Sequence, residues 1–158
     1  MTISLYETDF HLWCVETIKR LKERDFAQID IENLIEEIAA LAGREQRELQ
    51  SRLGVLLEHL LKLKYVDSRY DFREWELTIQ EQLRQIEMLP KQSASLKRFL
   101  REVLPDCYQF ALSQVQIGYP HVDFPKEWSL VNDADAFLKL IERDLVAFRW
   151  SSDCQSLD

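Results

Sequence analysis

Apolar side chains recur at three- and four-residue steps along most of the chain, the spacing that gathers them on one face of an α-helix. Phe10, Trp13, Cys14, Ile18 and Leu21 form the first such stripe, in a segment predicted to run from about Leu5 to Arg24. Ser4 and Glu7 stand at capping-box spacing at its start, where hydroxyl and carboxylate each satisfy an orphan backbone donor. Lys19, Arg20, Lys22 and Arg24 crowd its end and complement the helix dipole. A second helix is predicted from the N-cap Asp30 as far as Tyr65. Its stripe uses Leu34, Ile38 and Leu41, then resumes at Leu49, Leu53, Leu56, Leu60 and Leu63. Gly43–Glu48 between them is wholly non-apolar. Continuity is the better reading, because Arg44, Glu45, Arg47 and Glu48 favour helix and one glycine costs only about 1 kcal/mol against alanine.

Val66–Tyr70 is a charged connector. Asp71 and Glu74 repeat the capping-box spacing, and Trp75, Ile79, Ile86 and Leu89 mark a third helix ending near Pro90. Ser95 is placed to cap a fourth, with the stripe Leu96, Phe99, Leu100, Val103, Leu104, Cys107, Phe110 and Ala111. Pro105 inside that stripe predicts a kink or a junction of two helices. Gly118–Trp128, with Pro120 and Pro125, reads as irregular. A last helix is predicted from about Asp133 to Phe148, buried through Phe137, Leu138, Ile141, Leu145 and Phe148. The expected fold is all-α: an antiparallel bundle of about five helices, one of them long, near residues 31–65. Residues 1–150 are expected to form one domain, and Ser151–Asp158 a disordered tail.

Composition narrows the function. Apolar residues make up 46% and charged residues 30% of the 158, the profile of an ordinary globular domain. A net charge of −8 opposes the counterion release that drives non-specific binding to nucleic acid, so direct binding of that kind is not expected. The odd cysteines Cys14, Cys107 and Cys154 are widely spaced, without zinc-ligand spacing, and suggest a reducing compartment. Cys14 and Cys107 read as small core residues. Glu7 and Asp9 interrupt any leader-like apolar run, and no stretch approaches the roughly 20 apolar residues that span a bilayer. A cytoplasmic protein is expected.

Several chemistries lack their residues. The glycines Gly43, Gly54 and Gly118 are isolated, so no phosphate-cradling loop is present. None of His11, His59 and His121 has a glutamate three residues before it, which opposes an inward-facing di-iron site. Glu36 and Glu37 point about 100° apart on a helix and cannot both face one site. No cofactor, metal or catalytic residue is expected.

The ordered set Leu5-Tyr6-Glu7, Asp9-Phe10, Trp13, Asn33-Leu34-Ile35-Glu36-Glu37-Ile38, Ser51-Arg52-Leu53, His59-Leu60-Leu61-Lys62, Trp75, Thr78-Ile79, Glu81-Gln82 and Ser95-Leu96 resembles the bacterial domain-of-unknown-function family 29. The likeness covers roughly Ile3 to Leu130. It departs at Glu74, Leu83 and Ala94, where the family commonly has serine, arginine and proline. The resemblance implies a helical fold and supplies no activity.

One polar constellation stands out. Arg52, His59, Lys62, Trp75 and Thr78 flank the connector between the second and third helices, and antiparallel packing would bring them near one another. Read functionally, they form a pocket for a small anion, with paired Arg donors for planar oxyanions and Trp75 as a stacking wall. Read structurally, His59 bonds a backbone carbonyl or a glutamate, Trp75 fills core volume, Thr78 bonds back to its own helix and Lys62 is solvated. The structural reading is the simpler one. The sequence therefore favours a non-catalytic helical interaction module, a homodimer or the partner of another cytoplasmic protein. The alternation Arg44-Glu45-Gln46-Arg47-Glu48 is a solvated face, or a self-complementary seam across a two-fold axis. The alternatives are an enzyme or ligand-binding protein using the Arg52/His59/Trp75 pocket, and an acidic, antitoxin-like partner of a basic protein.

Overall fold

The computed structural model describes residues 3–88, 93–128, 133, 135–137 and 139. The described chain is all-α. Its helices are α1 (Leu5–Thr8), α2 (Phe10–Glu23), α3 (Ile31–Tyr65), α4 (Phe72–Met88) and α5 (Ala94–Gly118), with one 3-10 turn at Phe26–Gln28. Two compact units divide it, Met1–Arg44 and Glu45–Asp158. The division falls inside the non-apolar stretch Gly43–Glu48, while α3 continues through it as one helix of 35 residues. The first unit takes Ile31–Arg44 of α3 and the second takes Glu45–Tyr65.

In the first unit the predicted opening helix is two. Asp9 adopts φ −148°, ψ 84° and its carboxylate accepts the Leu12 N–H at 2.9 Å, so it ends α1 and caps α2. The Ser4–Glu7 capping box forms in both directions. Arg24 terminates α2 in the left-handed region at φ 57°, costing about 1–2 kcal/mol for a residue with a Cβ. Asp30 opens α3, accepting from the Asn33 backbone at 3.3 Å and its side-chain amide at 2.7 Å. Tyr6, Phe10 and Trp13 form an aromatic cluster with centroids 4.9–5.8 Å apart. Burial here departs from the sequence reading. Only Trp13, Thr17 and Ile29 are buried among the described residues of this unit; Phe10, Ile18, Leu21, Ile38 and Leu41 are all exposed, and Cys14 is half-buried.

The second unit is a helical bundle whose core is the leucine stripe of α3. Leu49, Leu53, Leu56, Leu60 and Leu63 alternate four- and three-residue steps and are at most 2% exposed. Ile79, Leu83 and Ile86 of α4 and Leu100, Leu104 and Ala111 of α5 join them in one cluster. Arg52, well before the end of α3, donates to Gln82, well past the start of α4, so these two helices run antiparallel. Helix α5 passes through Pro105 without a second helix beginning there. Pro105 and Arg101 both lie on the exposed side, where water can take the Arg101 carbonyl that the missing N–H releases. The cap position of α5 is Ser93 rather than Ser95. Phe110, expected in the core, is exposed.

Beyond α5, Tyr108 anchors the irregular segment by donating its hydroxyl to the Pro125 carbonyl, and Phe124 and Trp128 join the core. Asp133 caps a helical turn through Ala136 N–H at 3.0 Å, and Phe137 is fully buried. The rest of the predicted last helix and the tail Ser151–Asp158 lie outside the described residues, as does the predicted helix end at Leu89–Pro90.

Removing a methyl-rich side chain from the α3 stripe leaves a cavity among neighbours that cannot collapse fully. Leu60→Ala should cost about 2–5 kcal/mol. Leu77→Ala, at a site 58% exposed on α4, should stay within about 0.5 kcal/mol of the parent. Urea unfolding of the two variants reads the difference.

Candidate functional site

The polar constellation of the α3–α4 pair is satisfied locally. His59 Nδ1 lies 2.8 Å from the Val55 carbonyl one turn back on its own helix. Lys62 pairs with Glu58 at 2.7 Å, again one turn back. Arg52 binds Glu48 through both Nε and a terminal nitrogen, at 3.0 and 2.9 Å, and reaches across to Gln82 at 3.3 Å. Thr78 donates to the Glu74 carbonyl at 3.0 Å. Trp75 is buried in the leucine core, its ring edge-on to Phe72 at 5.8 Å. The structure thus joins Arg52 to α4 through Gln82 and gives His59, Lys62 and Thr78 partners on their own helices. None of the five lines either cavity described below.

The first cavity, about 450 Å³, lies in the second unit between α3 and α5. Gln50, Ser51, Gly54 and Glu58 line one wall; Asp106, Cys107 and Phe110 line the other. The space over Gly54 is open, and a Cβ built there would meet nothing within 4 Å. Cys107 does not bring nucleophilic chemistry. Its Sγ lies 3.7 Å from the Gln50 carbonyl, and burial, with the nearby Asp106 charge, pushes the thiol up to about 11. A thiol held protonated is a poor nucleophile. The sequence signal missed was Gly54, an isolated glycine inside an otherwise leucine-rich helical stripe.

The second cavity, about 270 Å³, is a groove within the first unit. Phe10, Cys14, Ile18 and Leu21 of α2 form one side, and Leu34, Ile38 and Leu41 of α3 the other. Both apolar stripes therefore turn toward the same open side instead of closing on each other. At 100° per residue, buried Trp13 and Thr17 lie at the edge of the α2 stripe, with Phe10, Cys14 and Ile18 further round. Glu37 at the groove accepts the Tyr6 hydroxyl at 2.6 Å, and that bond chiefly raises the Tyr6 pKa. Glu36 is exposed, so the two adjacent carboxylates do not share a site. Among the described residues, the buried indole Nε1–H of Trp13 has no hydrogen-bond partner, a state that costs about 1–3 kcal/mol.

Among the described residues, no group of three His, Cys, Asp or Glu side chains is placed to hold a metal ion. No described helix is long and apolar enough to cross a membrane. Residues 5–137 match the model of a family described as Domain of unknown function DUF29. No curated protein and no solved structure matches the chain.

The buried hydroxyl and thiol beside the α3–α5 packing make stability sensitive to alkali. Burial pushes Tyr108 from 10 up to about 12, and Cys107 from 9 up to about 11. The neutral forms are favoured in the folded chain, so this contribution is whole below about pH 9 and is lost as pH rises to 11–12. Unfolding free energy from urea titrations should be flat approaching pH 9 and fall beyond it. Tyr108→Phe should flatten the upper part of that fall, and should cost about 1 kcal/mol at neutral pH for the lost bond to Pro125.

Proposed function

The chain belongs to the DUF29 family, and we propose that it works as a helical interaction module, docking other protein surface on its N-terminal hairpin. The observation that carries this reading is the uncovered apolar face of that hairpin. Phe10, Ile18, Ile31, Ile35, Ile38 and Leu41 are each between 47% and 60% exposed, and Phe10, Ile18, Ile38 and Leu41 of them line one groove between the two helices. An isolated exposed leucine needs no explanation, but a contiguous patch of several hundred Å² marks an interaction site. The groove's lining is mostly apolar, and its Glu37 carboxylate is already taken by Tyr6, a composition that suits binding.

The pocket reading built on Arg52, His59 and Trp75 has less support, since each polar group there already has a partner and Trp75 is core. A net charge of −8 suits protein partners with a basic rim, and cytoplasmic residence agrees with the free thiols Cys14 and Cys107.

A photo-crosslinking amino acid placed at Ile35 should yield covalent protein adducts in living cells, whereas the same group at Gln80, exposed on α4, should not. Absence of adducts from Ile35 would remove the docking reading.

A further inference from the structure

We infer that the N-terminal hairpin opens as a separate unit: α2 leaves α3, and α3 unwinds from Ile31 as far as Leu49, while the second unit stays folded. This opening needs no partner, so it goes beyond the docking reading. Burial divides the two units. In the hairpin only Trp13, Thr17 and Ile29 are buried among the described residues; each is still 6–8% exposed, and Thr17 is polar. In the second unit Leu53, Leu57, Leu60 and Ile79 are fully buried in one cluster. Local unfolding begins where buried apolar contact is least. Opening also relieves two costs of the closed hairpin. The indole Nε1–H of Trp13, buried without a partner among the described residues, reaches water, and Arg24 leaves its left-handed conformation at φ 57°.

The helices give the opening its boundary. α2 has 14 residues, and the hairpin's share of α3, Ile31–Arg44, is equally long, near the length at which a helix without packing is marginal in water. No side chain of α3 from Ile31 to Glu48 is buried. Unwinding therefore passes Gly43, a poor helix former, and the exposed Arg44, Glu45, Gln46 and Arg47 without uncovering any core. It stops at Leu49, the first fully buried leucine of the stripe. Against it stand the half-buried Tyr6–Glu37 bond at 2.6 Å and an exposed bond from Arg20 to the Gln28 carbonyl. Bonds in contact with water contribute too little to replace a core.

Hydrogen exchange of the purified full chain at neutral pH, read by mass spectrometry through a series of low urea concentrations, tests this opening. Amides of Trp13–Glu23 and Ile35–Arg44 should exchange at least about a hundredfold faster than those of Leu53–Leu63, and should respond to urea together. Trp13→Ala should speed the hairpin amides about tenfold or more and leave Leu53–Leu63 within about twofold of the parent. Ile79→Val, a small change in the core of the second unit, should speed Leu53–Leu63 about threefold or more and leave the hairpin within about twofold. Equal rates in the two units, or an effect of either substitution that spreads to the other unit, would show a single cooperative structure and overturn the inference. Hairpin amides that respond to urea one by one would overturn it too, since they report fraying of helix ends and not the opening of a unit.

Discussion

The leucine stripe Leu49, Leu53, Leu56, Leu60 and Leu63 of α3 carries the apolar contacts on which the second unit depends. Within the first unit, Ile31, Ile35, Ile38 and Ala42 recur at the same four- and three-residue steps. In the second unit the stripe is sealed by α4, α5 and the aromatic residues after them. In the first, the same kind of surface is left half in water. Local sequence dictates the stripe; what stands opposite it decides whether the stripe is a core or an exposed face.

This distinction explains which parts of the molecule were legible in the chain. Helix identity was, because periodicity, caps and the scarcity of turn residues all agreed, and Gly43 did not outweigh four helix-favouring neighbours. Asp30 and Asp133 behave as caps because a carboxylate one residue ahead of a helix has free backbone N–H groups within reach. Asp9 was read through for the opposite reason: with apolar residues spaced correctly on both sides, the periodic pattern hid a short side chain able to break the helix and restart it. Burial was less legible. The stripe Phe10–Leu21 and the stripe Leu49–Leu63 have the same pattern, yet only the second is covered, since covering elements come from distant sequence. Phe110 and Gly54 show the same limit at a smaller scale: their surroundings are set by how α3 meets α5.

The polar constellation illustrates a different bias. Arg52, His59, Lys62 and Thr78 cluster around one connector, a placement that resembles a site. On a helix, however, a polar side chain's nearest partners lie one turn away in its own sequence. Val55, Glu48, Glu58 and Glu74 each precede their partner by four residues, and each takes its bond. Those i,i+4 pairs contribute only a few tenths of a kcal/mol apiece where exposed. They suffice to occupy donors that would otherwise have been free for an anion.

The hairpin's size makes its open face the more telling feature. A unit of about forty residues buries too small a fraction of its surface to be stable alone, and chains of that length usually add disulfides, metals or a partner. Neither a metal-ligand cluster nor a disulfide is available among the described residues of this unit, whose single cysteine, Cys14, is free. The capping box, the Asp9 and Asp30 caps and the Tyr6–Glu37 bond fix helix ends and fasten α1 to α3, contributions of about 1 kcal/mol each. They do not replace a core. Covering half-exposed isoleucines would recover about 25 cal/mol per Å², far more than the caps supply over a face of this area. On the docking reading proposed above, covering these stripes would stabilise the hairpin and hold the partner with the same free energy.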